Sequence, residues 1–323
     1  MNFGGAIRLN KAGICVLAIL FIFLLYNFSK NDTIKEPSKI SLNKLLNVAI
    51  EAAESGGRMV VATKDNMNLK SKGLTNEGLM DPLTAADLLS HCSMVQTLKH
   101  HFPSLRLISE EKAACLDNVG IPSSLKNIVD DQLEQEIADN EVVVWIDPLD
   151  ATYEYSEKLY QYVTTMVCVA VKGKAVMGVI HSPFNKTTSW VWVDKTMSKD
   201  LSANLEVKKK NATKIVVSRS HRGEIESILK KNVNMNKNPY ELIIAAGAGY
   251  KALQVAKGEA DAYLHSTKIK KWDVCAGNAI LSGLGGEMTD KYGDQIDYSD
   301  SNKVVLDGLV ATLRNHDRFL GVF

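Results

Sequence analysis

Four short acidic segments of the chain hold residue types able to gather a hard divalent cation and a water beside it. The sharpest is Trp145-Ile-Asp147-Pro148-Leu149-Asp150-Ala151-Thr152. The apolar run before Asp147 predicts a buried strand over 141–147, and α/β sheets seat ligands at the carboxyl ends of their strands. Pro148 predicts a turn that aims the Leu149 carbonyl and the Asp150 carboxylate back at one point. Two carboxylates and a carbonyl form an oxygen-only set, which suits Mg²⁺ better than zinc. Read alone, the segment is equally a turn with an Asx cap.

The other three are weaker singly. Asp81-Pro-Leu-Thr84-Ala-Ala-Asp87 precedes and opens a helix, where Asp and Thr ordinarily serve as caps. Glu110 and Glu111 follow a short strand, where a glutamate pair is ordinarily just solvated. Lys271-Trp272-Asp273 begins another helix, with Asp273 at or near its N-cap. Together they say more, because carboxylates drawn from several element ends cannot be packed side by side unless a cation neutralises them.

Periodicity supplies the elements that must position these groups. Helices are predicted over 41–64, despite Gly56-Gly57, and over 84–101, stopped by Pro103. Strands follow at 106–109, 141–147, 163–171, 175–181 and 188–194, with Lys172-Gly173-Lys174 as a hairpin turn. Residues 112–140 read as a charged surface excursion with some helix. After a basic stretch at 208–213, strands at 215–218, 240–245 and 261–265 alternate with helices at 223–231, 249–257 and 274–284, before two final strands. The fold class is therefore α/β: an α+β part over 41–207, read as the metal-binding domain because three of the four acidic segments lie in it, and a layered α/β part over 208–323, to which the family resemblance given below assigns the substrate.

Residues 12–28 carry no charge between Lys11 and Lys30, and predict a signal-anchor helix. Arg8 and Lys11 put residues 1–11 on the cytoplasmic side, so a stem at 29–40 would lead to a lumenal body. A cleavable signal peptide is the competing reading. The sequons at Asn185 and Asn211 agree with a lumenal side. A formal net charge of +1 argues against a nucleic-acid polymer as partner. Cys15, Cys92, Cys115, Cys168 and Cys275 show no C-x-x-C spacing, which suggests neither a zinc site nor a disulfide scaffold. Buried free thiols are expected for Cys92, Cys115, Cys168 and Cys275, with pairing open in an oxidising lumen.

The Asp-Pro-Leu-Asp-Ala-Thr motif at 147–152 and the Trp-Asp-Val-Cys-Ala-Gly-Asn-Ala motif at 272–279, in this order, resemble those of the lithium-sensitive, magnesium-dependent phosphomonoesterases of the inositol monophosphatase superfamily. The resemblance runs over about residues 42–320 and implies an αβαβα sandwich. It implies that Glu110, Asp147 and the Leu149 carbonyl hold a first Mg²⁺, which binds the attacking water. Asp147, Asp150 and Asp273 would hold a second, beside the leaving-group oxygen, and some relatives add a looser third. Thr152, bonded to Asp87, would orient and deprotonate the water, while the backbone N–H groups of Ala151 and Thr152 hold phosphate oxygens. Ala151 stands where glycine is common in the wider family.

Glu154, the anchor and the Ser218-Arg-Ser-His221 segment resemble the membrane-anchored nucleotide branch of that family, whose place is the Golgi lumen. In that branch the neighbourhoods of Ser218, Ser220, His221, Gly247, Gly249 and Lys251 would contact the nucleoside and a second phosphate. Lys268, Lys270 and Lys271 read first as an exposed charged face, the alternative being a positive field beside the site. The implied small-molecule substrate is adenosine 3′,5′-bisphosphate, losing its 3′-phosphate. An inositol phosphate is the alternative, and a catalytically dead nucleotide-binding module a third reading. Inhibition by Li⁺ and a homodimer are expected from the resemblance alone.

Overall fold

A computed structural model describes residues 11–31, 38–66, 70–74, 80–115, 125, 127–130, 133–202, 212–220, 223–232, 239–299 and 305–323. The chain divides into two compact units, Met1–Ser38 and Lys39–Phe323. In the first, helix α1 (Lys11–Asn31) covers the predicted anchor, and Ile14, Leu17, Phe21 and Phe23 are exposed on it. Among the described residues no helix is long and apolar enough to cross a membrane. Most of the predicted stem lies outside the described residues.

The second unit opens with strand β1 (Lys39–Ser41), which pairs with β5 (Glu136–Ala138). Helix α2 (Leu42–Ala62) starts where the Ser41 hydroxyl accepts from the Lys44 N–H at 3.1 Å. It runs unbroken through Gly56-Gly57 because both glycines are contact points. A side chain at Gly56 would collide with Ser90 and Met94, and one at Gly57 with His181. A hairpin that periodicity does not predict, β2 (Lys70–Leu74) with β3 (Met80–Leu83), leads to α3 (Ala85–His101).

The main sheet joins β4 (Arg106–Ser109), β6 (Val142–Asp150), β7 (Thr164–Val171), β8 (Lys174–Ser182), β9 (Thr187–Trp192) and β10 (Thr196–Met197), in the order β10-β9-β8-β7-β6-β4. Only β4 and β6 are parallel among these pairs. Short helices α4 (Thr152–Ser156) and α5 (Lys199–Ser202) follow β6 and β10. The boundary predicted near 205–213 falls mostly on residues outside those described.

The second sheet has five strands: β11 (Thr213–Ser218), β12 (Tyr240–Ala245), β13 (Ala262–Lys270), β14 (Glu287–Asp290) and β15 (Val305–Thr312), ordered β12-β11-β13-β15-β14. Its helices are α6 (Ile225–Lys231), α7 (Ala248–Ala256), α8 (Lys271–Gly283) and α9 (His316–Leu320). The strand predicted to stop at His265 instead bulges between His265 and Lys268 and continues to Lys270.

Three apolar clusters define five layers. Leu45, Ala49 and Met94 pack α2 and α3 on one face of the main sheet. Ala252, Cys275, Ala279 and Ile280 put α7 and α8 between the sheets, and Leu229 and Phe319 put α6 and α9 outside the second. This is the expected αβαβα order. Free thiols were expected for four cysteines, but Cys92 pairs with Cys115 and Cys168 with Cys275. Cys168 and Cys275 lie on facing layers, which a one-dimensional spacing rule cannot register.

Candidate active site

Strand β6 is buried on both faces, so its alternation assigns each residue to a layer. Val142, Val144 and Ile146 face α2 and α3, while Val143 and Trp145 face α7 and α8. Asp147 is next in the second series, which turns it toward the start of α8. Strand β4 runs parallel alongside, with Ser109 opposite Ile146 and the Glu110 N–H donating to the Ile146 carbonyl at 3.1 Å. That register brings Glu110 to the same end. From the first turn of α8 comes Asp273, whose carboxylate accepts from the Lys270 N–H at 2.9 Å. Asp273 is thus the third residue of the helix, with Lys270 at the cap.

One oxygen each from Glu110, Asp147 and Asp273 lies within 4.8 Å of the others. Such a donor set, all carboxylate and half-sheltered, fits a hard cation such as Mg²⁺. Burial, then Glu110, holds Asp273 up at about 8. Asp147 is 1% exposed, and burial, then Glu110, Asp150 and Asp273, push its carboxyl well above the usual range. The groups therefore repel one another when ionised, and a divalent charge would relieve that.

Pro148 does not make the predicted turn. Asp147 pairs with Met166 and Asp150 with Thr164, so Pro148 and Leu149 together oppose one residue in a bulge. A bulge removes Pro148 from the ladder, where its missing N–H costs nothing. Asp150 is not gathered with the other three. Its Oδ1 accepts from the Ala248 N–H at 3.1 Å, and its Oδ2 from the Gly249 N–H at 2.8 Å and the Thr164 hydroxyl at 3.1 Å. The start of α7, read from sequence as a seat for a second phosphate, is thereby taken by the chain's own carboxylate. Lys251, on the same helix, is buried and donates to the Gly247 carbonyl at 2.7 Å. Burial lowers its ammonium to about 8.

Thr152 and Asp87 meet as expected. The Thr152 hydroxyl lies 3.0 Å from Asp87 Oδ1 and 3.0 Å from the Leu149 carbonyl, two acceptors for one proton. Asp87 also caps its own helix, its Oδ2 accepting from the Thr84 N–H at 2.7 Å and the Thr84 hydroxyl at 2.6 Å. The capping and catalytic readings thus describe different oxygens of one carboxylate. Burial raises Asp87 to about 6, against the pull of Thr84. Ala151, between strand and helix, sits in the left-handed region at φ 67°, which explains why glycine suits this position.

Ser218 is buried at the end of β11, and the Ser220 hydroxyl donates to buried Glu154 at 3.3 Å. His221 lies outside the described residues. Arg219, which sequence reasoning did not weigh, bridges Glu154 at 3.4 Å and Glu157 at 2.9 Å. Of the lysines read as an exposed face, Lys271 is buried, its ammonium 5.9 Å from the Trp145 ring centre, and Lys270 reaches Glu110 at 3.6 Å. Sequence reasoning also missed Lys72. From the β2–β3 hairpin it pairs with Glu110 at 3.1 Å and with Glu111. Burial alone would lower Lys72, but the two glutamates raise it. No local pattern marks it, because only the folding of the hairpin brings it here.

Residues 41–320 match the sequence profile of the inositol monophosphatase family. The chain is 40% identical over 344 residues to the Golgi-resident adenosine 3′,5′-bisphosphate 3′-phosphatase of Mus musculus, covering 96% of this chain and 94% of that one. It is also 40% identical over 340 residues to inositol monophosphatase 3 of Xenopus tropicalis, covering 95% and 92%. Among solved structures it resembles CysQ of Bacteroides thetaiotaomicron, a bacterial member of the same family. The TM-score there is 0.61 at 20% identity, covering 85% of this chain and 99% of that one.

Proposed function

The chain belongs to the inositol monophosphatase family, and from that premise we propose that it hydrolyses the 3′-phosphate of adenosine 3′,5′-bisphosphate to give AMP and phosphate. The observation that carries this reading is the convergence of Glu110, Asp147 and Asp273 beside the Thr152–Asp87 pair. Those three carboxylates would hold Mg²⁺, with the Leu149 carbonyl and Asp150 as further ligands on rearrangement of their present hydrogen bonds. When bound, the ion supplies a Lewis acid that makes water nucleophilic and offsets phosphate charge. Thr152 orients the water and takes its proton as its own passes to Asp87, whose value near 6 lets it accept a proton around neutral pH. Were the Leu149 carbonyl to serve as a ligand, Asp87 would be left as the acceptor for the Thr152 hydroxyl. The backbone of Ala151 and Thr152 steadies the phosphate, and Ser218, Ser220, Gly247, Gly249 and Lys251 border the nucleoside side. Arg219, paired with Glu154, belongs to that border.

The same premise carries Li⁺ inhibition, a homodimer and residence in the Golgi membrane, anchored through residues 12–28 with the body in the lumen. The charge-free run between Lys11 and Lys30, the exposed apolar side chains of α1 and the exposed turn at Asn185 support that topology. So do two disulfides, which persist in oxidising compartments. The relatives named for inositol monophosphate keep the inositol reading as the rival. Turnover of adenosine 3′,5′-bisphosphate and inositol 1-phosphate, measured in parallel with Mg²⁺, separates the two. Faster release from the inositol ester would overturn the choice. Asp147→Asn should abolish turnover and leave the circular dichroism spectrum unchanged; near-normal turnover would remove the cation site from the account.

A further inference from the structure

Each disulfide is attached close to a carboxylate of the cluster. Cys275 lies two residues beyond Asp273 on α8. Its partner Cys168 is on β7, opposite Trp145, two residues from Met166, which opposes Asp147. This single bond therefore ties the Asp273 helix to the strands that hold Asp147. Cys115 lies five residues beyond Glu110, and Cys92 is on α3, which also carries Asp87. Next to Cys92, His91 bonds the Ser109 hydroxyl at 2.8 Å, one residue before Glu110.

We infer that the two disulfides are positioning devices for the cation site, holding Asp273 and Glu110 in ligating positions before a cation arrives. The inference rests on the cation site proposed above. Besides protonation and the pairing of Glu110 with Lys72 and Lys270, one relief open to three repelling carboxylates within 4.8 Å is for α8 or the 110–115 segment to move away. A covalent tie a few residues from the ligand blocks that movement, so less ordering is left to do on binding. Docking of α8 does not need the bond. Ala276, Ala279, Ile280 and Leu281 are fully buried, and the Ala276 carbonyl lies against Gly178 of β8. Loss of the disulfide should therefore spare the fold and loosen the site.

The test is Mn²⁺ binding to the whole protein, followed by electron paramagnetic resonance, with circular dichroism and Tm read on the same samples. Cys168→Ala/Cys275→Ala and Cys92→Ala/Cys115→Ala should each stay folded and bind Mn²⁺ about tenfold more weakly, the size of effect expected from supports behind a ligand. Turnover at saturating Mg²⁺ should largely recover. A purely structural disulfide would lower Tm and leave the Mn²⁺ Kd unchanged, so a Kd within twofold of the parent in either folded variant overturns the inference. Should one pair fail to fold, the other decides. The parent and its Asp147→Asn variant are measured alongside. If the parent binds no Mn²⁺, or binds it equally well after Asp147→Asn, the proposed cation site falls and the inference with it. Binding that depends on Asp147 but not on the disulfides sinks only the inference.

Discussion

At the scale of single residues, the proposed reaction would have Asp87 divide its two oxygens between capping at Thr84 and chemistry at Thr152. One oxygen of Asp87 is committed to Thr84, and the other is within reach of the Thr152 hydroxyl. Removing that hydroxyl should leave cap and ligands untouched and break only the proton path. Thr152→Ala is expected to lower turnover by about 10²–10⁴-fold, the usual contribution of a positioned acid–base group. Mn²⁺ binding should stay within twofold of the parent, and Thr152→Ser should recover most of the loss. A parallel loss of Mn²⁺ binding in steady-state and binding assays would reassign Thr152 to holding the ion. These residues were legible in the sequence because Asp, Thr and Glu at element ends carry their own local signal. Lys72 was not, since its pairing with Glu110 and Glu111 depends on a hairpin whose residues show no clear alternation. The orientation of Asp150 was equally hidden, because its partners lie 98 and 99 residues away at the start of α7.

At the scale of elements, the site is a matter of where α8 sits on the main sheet. Gly178 permits the contact: a Cβ there would strike the Ala276 carbonyl, three residues along the helix from Asp273. Gly178→Ala should therefore lift the first turns of α8 and cost about 1–3 kcal/mol, as overpacking does. It should also weaken Mg²⁺ activation of turnover, because Asp273 moves with the helix. Denaturant unfolding and a Mg²⁺ titration of activity check the two halves. An unchanged Mg²⁺ requirement in a destabilised protein would mean that Asp273 is positioned by something other than this contact. The existence of α2, α3, α8 and the longer strands of the main sheet was readable from periodicity, whereas the short strands β1, β2, β3, β5 and β10 were not. What periodicity missed was local irregularity fixed by tertiary partners: the bulge at Pro148, the bulge that carries β13 on to Lys270, and the glycine pair by which α2 meets α3 at Gly56 and His181 of β8 at Gly57.

For the whole molecule, the gathered carboxylates make stability depend on pH and on cation together. Burial, ahead of the mutual repulsion of the carboxylates, raises Asp147 well above its usual range and Asp273 to about 8; burial also raises Asp87 to about 6. In each case the folded chain binds its proton more tightly than the unfolded chain, for which an ordinary Asp value is 3.8. Between those limits the native state holds more protons, so unfolding free energy must fall as pH rises. Stability from these groups is fully present below the unfolded value and is lost as pH climbs through about 6 and then about 8. The contribution of these carboxylates to the Tm of metal-free protein should accordingly fall from pH 5 to pH 9, against the opposite contributions of His91, His181 and His316, which burial lowers from 6.5, and of Lys251, lowered to about 8. Mg²⁺ held by the cluster, as proposed, would reverse the sign of the local problem, since it would favour the ionised carboxylates. A hundredfold excess over its Kd adds about 2.7 kcal/mol by mass action, and this gain should be largest at the alkaline end, where fewest protons must be displaced. Thermal unfolding across that pH range, with chelator and with Mg²⁺, reads both slopes at once. A Mg²⁺ increment that shrinks toward pH 9 would mean that Glu110, Asp147 and Asp273 do not share a cation.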